Sequence, residues 1–225
     1  MKPDSVINAE NGAISDGRLR FEADFSRLAH RIRPDRVNSE MLVKAVRIKS
    51  VPPEATEVID ATAGLGEDAF ILAAAGFHVT MYERDAVIAD ALEAALEKAI
   101  ISPELSAIAE RLTLIKGDSK DALCALEKPP GVIYLDPMFP ESKKSALIKK
   151  KFQLLRRLES PCEDEEELLE AALRAGAKKT VIKRPLKGPY LAGKKPDYSI
   201  SGKAIRYDCI VNHRFSEVKN AEFAQ

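Results

Sequence analysis

A chain of 225 residues suits one domain with a small extension, and 45% hydrophobic against 31% charged residues excludes a disordered chain. Thirty-five basic and thirty-five acidic side chains cancel, so no global field draws the protein to nucleic acid, and any such partner must be held by a local patch. Cys124, Cys162 and Cys209 fall in no CxxC or zinc-like spacing, which argues against a disulfide framework and a metal site.

The opening MKPDSVINAENG is polar and nowhere do eighteen apolar residues run uninterrupted, so a cytoplasmic protein without membrane insertion is expected. Residues 1–17 read as a loose leader. In LRFEADF, Leu19, Phe21, Ala23 and Phe25 alternate with polar neighbours as in a short strand, and RLAHRIRPDR after it is basic. From Ser39 a helical stripe of Met41, Leu42, Ala45 and Val46 runs to the break at Val51-Pro52-Pro53. Residues 1–50 are therefore expected to be an N-terminal extension and 51–225 the main domain.

Beyond that break, short apolar runs alternate with segments of helical period, the pattern of βαβ units and a mostly parallel sheet. EVIDA, FHVTMYE, RLTLIKGD, GVIYLD and KKTVIKRP are the expected strands. Between them GEDAFILAAAG, DAVIADALEAALEKAI with Asp85 as N-cap, SKDALCALEK and SALIKKKFQLLRRL are expected helices. The acidic run at 163–167 opens another helix through Leu173, where carboxylates complement the positive end of the dipole. YSISGKAIRYDCIVN closes the chain as an antiparallel hairpin. His78 is expected to be packed within its strand.

DATAGLGEDA joins a strand to a helix, and Gly64 and Gly66 let the backbone approach a ligand closely. The stretch satisfies GxGxxA, and Glu83 ends the next strand nineteen residues after Gly64, where an acid can hold ribose hydroxyls. Spacing alone admits NAD or S-adenosylmethionine. Charge separates them, because Glu67 and Asp68 occupy the first helical turn and would repel a pyrophosphate, whereas the sulfonium donor carries none. Asp60, Glu83, Asp118 and Asp136 all fall at strand ends and should meet around one crevice. Asp118 could face an adenine amine or cap the following helix.

In VIYLDPMFP, Pro137 forces Asp136 into an extended conformation that aims its carboxylate out of the sheet. An exocyclic base amine is a poor nucleophile, and accepting its hydrogens at Asp136 and the Pro137 carbonyl would turn its lone pair toward a methyl carbon. Phe139 is placed to stack on the base, a contact worth about 1–3 kcal/mol.

DATAGLGEDAF, YERD, YLDPMFP with KKSALIKK, VIKRP and LAGKKPDYSISGKAIRYD together resemble the RsmJ-type 16S ribosomal RNA guanine-N2 methyltransferases, from about Leu19 to Val211. The resemblance implies a Rossmann-like class I methyltransferase fold using S-adenosyl-L-methionine. It implies cofactor contacts at Glu67, Asp68, Glu83, Arg84, Asp118, Ser119 and Asp136. Its substrate would be the N2 amine of a guanosine in 16S rRNA or the 30S subunit. Lys143, Lys144, Lys149, Lys150, Lys183 and Arg184 form the basic patch expected to hold that RNA, with a further contact from the N-terminal extension. An adenine-N6 methyltransferase, an NAD-dependent oxidoreductase and a non-catalytic assembly factor are the competing readings.

Overall fold

The computed structural model describes residues 8–10, 12–15, 20–137 and 164–213. The chain opens with a small antiparallel sheet of β1 (Asn8–Glu10), β2 (Ala13–Ser15) and β3 (Arg20–Glu22). Part of the expected loose leader is thus paired backbone. Ala13 and Ile14 are buried, an anchor that the polar residues around them hid. The strand expected over LRFEADF stops at Glu22, because Asp24 accepts the Ser26 N–H at 2.9 Å and starts a 3-10 turn over Phe25–Leu28. Phe25 stacks on Phe70 with ring centroids 4.2 Å apart, so the N-terminal segment shares the main core.

Helix α1 (Met41–Val46) buries Leu42, Val43, Ala45 and Val46. The main sheet then runs through β4 (Glu57–Asp60), β5 (His78–Glu83), β6 (Leu112–Lys116), β7 (Val132–Leu135), β8 (Lys179–Pro185), β9 (Tyr198–Ser201) and β10 (Ile205–Val211). Its order is β6-β5-β4-β7-β8-β10-β9, parallel through β8 and antiparallel at β10 and β9. This is the expected doubly wound sheet with a terminal hairpin.

The connecting helices are α2 (Glu67–Ala74), α3 (Ala86–Ile100), α4 (Ser106–Ala109), α5 (Ser119–Cys124) and α6 (Glu165–Arg174). Asp85 caps α3 as expected, accepting the Ile88 N–H at 3.0 Å. Strand alternation divides the core. Val58, Val132, Tyr134 and Val181 pack with Phe70 and Leu92 on one face, and Ile59, Ile133, Leu135 and Ile182 with Leu123, Leu168 and Leu169 on the other. Each such buried side chain contributes about 1.5–3 kcal/mol. His78 is exposed rather than packed, since it starts β5 before the buried Val79. The expected helix over SALIKKKFQLLRRL lies outside the described residues.

Candidate active site

The sheet order reverses between β4 and β7, and in a doubly wound sheet the carboxyl ends of the strands at this switch point are where ligands bind. Strand β4 delivers Asp60, which is 1% exposed and accepts the Thr62 N–H at 3.1 Å. Burial pushes its pKa up to about 8, with the Thr62 N–H opposing and the charges of Asp68 and Asp136 adding to the rise. The turn that follows reaches α2 through Gly64 (φ +54) and Gly66 (φ +72). A Cβ on Gly66 would stand 2.7 Å from Leu92 Cδ1, so both conformation and space demand glycine there. Cβ atoms built on Gly64 or Gly117 would meet nothing within 4 Å, which leaves these two strand-end turns open as cradles.

Glu83 ends β5 and spends its carboxylate on main chain. Its Oε2 accepts the Gly64 N–H and its Oε1 the Asp85 N–H, both at 2.8 Å. Burial raises its pKa against these two donors. Asp118 caps α5 by accepting the Lys120 N–H at 2.8 Å, and Ser119 behind it is buried. Exposed Arg84 pairs with Asp164 at 3.2 Å, and Lys120 also binds Asp164, so this cluster ties the end of β5 and the start of α5 to the start of α6. Glu67 and Asp68 open α2 as its first two residues.

Strand β7 delivers Asp136, whose N–H donates to Thr62 Oγ1 at 2.6 Å, which locks it to the glycine turn. Parallel register places Leu135 opposite Ile182, so the next residues outward, Asp136 and Lys183, are neighbours. Lys183 Nζ donates to Asp136 Oδ2 and to Asp68 Oδ2, each at 2.7 Å, and the Tyr134 hydroxyl donates to the same Asp68 oxygen at 2.7 Å. Burial works against the Lys183 ammonium, but Asp136 and Asp68 more than reverse it and hold the group protonated. Asp68 is lowered because the Lys183 charge and the Tyr134 and Lys183 hydrogen bonds outweigh its burial. Asp136 is raised by burial, with Lys183 pulling the other way. The Asp136 side chain remains 37% exposed and that of Lys183 24%, so the pair faces the crevice.

The structure corrects Arg184, which is interior, and gives Lys183 different surroundings from those expected. Lys183 and Arg184 were expected on an RNA-binding surface, yet Arg184 is 1% exposed, donating to Pro189 O at 3.1 Å and pairing with Glu165 at 3.3 Å, and Lys183 is claimed by two carboxylates. Both lie on an interior strand, where Arg184 is buried and Lys183 keeps 24% of its side chain exposed; the signal was strand position rather than charge. Lys187, Lys194 and Lys195, in the loop after β8, are exposed. Pro137 is buried, while Phe139, Lys143, Lys144, Lys149 and Lys150 lie outside the described residues. No group of three or more potential metal ligands occurs among the described residues, and none of their helices is long and apolar enough to cross a membrane.

A seven-stranded sheet of this order, with a glycine turn after its first central strand and acids at the neighbouring strand ends, defines an S-adenosylmethionine-dependent methyltransferase. Residues 9–212 match a family model described as "Putative SAM-dependent methyltransferase". A protein of Pseudomonas aeruginosa (strain LESB58) named ribosomal RNA small subunit methyltransferase J is 43% identical over 198 residues, 88% of this chain and 75% of its own. A protein of the same name from Thioalkalivibrio sulfidiphilus is 43% identical over 87% of this chain and 76% of its own. The crystal structure of a SAM-dependent methyltransferase from Neisseria gonorrhoeae superposes with a TM-score of 0.71 at 31% identity, covering 89% of this chain and 79% of that one. The chain belongs to the RsmJ-type SAM-dependent methyltransferase family. Its cofactor is S-adenosylmethionine, and the NAD reading of the glycine loop is set aside.

Proposed function

We propose that this protein methylates the exocyclic N2 amine of a guanosine in 16S rRNA. The observation that carries the reading is the half-exposed Asp136 carboxylate, held at the switch point beside the glycine turn. The chain's relatives are named for small-subunit ribosomal RNA, which supplies the substrate class.

The open turns at Gly64 and Gly117, with Glu83, Asp118 and Ser119 around them, are acidic and rich in oxygen acceptors, which suits a cationic ligand bearing ribose hydroxyls. These residues, with Asp60, Glu67, Asp68 and Arg84 at their margins, would hold the cofactor. When bound, S-adenosylmethionine supplies an electrophilic methyl group on a sulfonium. Asp136 accepts one N2 hydrogen and the Pro137 carbonyl the other, which localises the nitrogen lone pair. As the N2–CH3 bond forms and the S–CH3 bond breaks, N2 sheds a proton to Asp136, whose proton affinity burial raises. Positioning and charge placement supply most of the acceleration. Phe139 would stack on the base, and Lys143, Lys144, Lys149 and Lys150 would bind phosphates beside it. The N-terminal 50 residues, as an extension to the methyltransferase domain, would add an RNA contact.

Incubation with labelled S-adenosylmethionine and 30S subunits lacking the modification, followed by nucleoside mass spectrometry, is expected to yield N2-methylguanosine. N6-methyladenosine would select the adenine reading, and cofactor binding without any labelled rRNA would overturn the proposal.

A further inference from the structure

We propose that Lys183 is a specificity-determining residue: together with Asp136 it reads the Watson–Crick edge of the target guanine and rejects adenine. This inference rests on the guanine-N2 reading above and assigns that site a recognition device.

Lys183 donates to Oδ2 of Asp136, so the atoms run in the order Oδ1, Oδ2, Nζ, which is acceptor, acceptor, donor. Guanine presents N2–H, N1–H and O6 along its edge: donor, donor, acceptor. The two sets match in order. A carboxylate spans neighbouring N–H groups with its two oxygens, as in bidentate base readout. An ammonium carries three N–H donors, and the bonds to Asp136 and Asp68 use two, leaving one for O6. Adenine presents N6–H and then the N1 lone pair, which would lie against Asp136 Oδ2, with no acceptor beyond it for the ammonium. Such an unpaired, partly desolvated set of polar groups is heavily penalised.

The support behind Lys183 fits this role. Asp68 and the Tyr134 hydroxyl meet at one oxygen, so the ammonium is fixed from the α2 side while its remaining face stays toward the crevice. Since Tyr134 and Val181 share one face of the sheet, strand alternation brings Lys183 to the same side.

The test uses 30S particles whose 16S rRNA carries either guanosine or 2-aminopurine at the methylated position; 2-aminopurine keeps the N2 amine but lacks N1–H and O6. The wild-type protein is expected to prefer guanosine in kcat/KM by about a hundredfold. Lys183→Met should reduce that preference by about tenfold, while Lys183→Arg, which keeps a donor, should largely retain it. Should Lys183→Met fail to fold because two carboxylates then face each other, Asp68→Asn combined with Lys183→Met removes the repulsion and carries the same expectation. If Lys183→Met loses rate equally on both substrates, Lys183 is merely structural and the inference is overturned. If the wild type leaves guanosine itself unmethylated, the guanine-N2 reading fails instead.

Discussion

Glu83 and Asp136 end the two strands flanking β4, and they use a carboxylate in opposite ways. Glu83 is 6% exposed and gives both oxygens to main-chain N–H groups, so it braces the glycine turn after β4. Asp136 keeps its side chain 37% exposed and gives one oxygen to an ammonium, so charge is presented rather than consumed. The contrast teaches that an acid at a strand end is assigned by what occupies its lone pairs, since position alone makes the two equivalent.

Breaking each side should give distinct losses. Asp136→Ala is expected to have the largest effect, lowering methyl transfer by about a thousandfold or more, far beyond any loss of cofactor affinity by calorimetry, with melting temperature near wild type. Glu83→Ala should reverse that profile: stability falls by about 3 kcal/mol in denaturant unfolding, because two buried N–H groups lose a charged acceptor, and cofactor affinity falls with the loop.

Asp60 sharpens the comparison through pH. Its folded pKa of about 8 lies above the unfolded value of 3.8, so folding favours the protonated acid. The native state therefore has no penalty from this group below pH ~4, loses stability as pH rises through about 8, and is flat above. Asp60→Asn should remove that slope, its advantage in melting temperature growing from pH 5 to pH 8.5. A slope unchanged by the substitution would count against a buried, neutral Asp60. The smallest stability effect is expected for Gly64→Ala, about 1 kcal/mol of left-handed strain with no clash, yet cofactor affinity should fall because the added methyl enters the open turn. Gly66→Ala, meeting Leu92, should cost more in stability.

The parallel sheet was legible because β4, β5, β7 and β8 carry buried apolar runs bounded by turns, and the glycine turn because no other residue serves at Gly66. Ala13–Ser15 escaped notice, since three residues between polar neighbours show no period. Lys183 escaped for a different reason: a lysine in a basic string reads as surface until strand pairing sets it beside Asp136. Its partner Asp68, sixty-eight residues distant from Asp136 in sequence, became visible only when α2 was laid against Tyr134 on β7.

The most direct measurement is a single-turnover rate of methyl transfer for Asp136→Ala against wild type, both saturated with S-adenosylmethionine and mixed with excess unmodified 30S subunits. A drop of about a thousandfold at equal cofactor occupancy is expected if this carboxylate receives the base amine. A rate within tenfold of wild type would contradict the account.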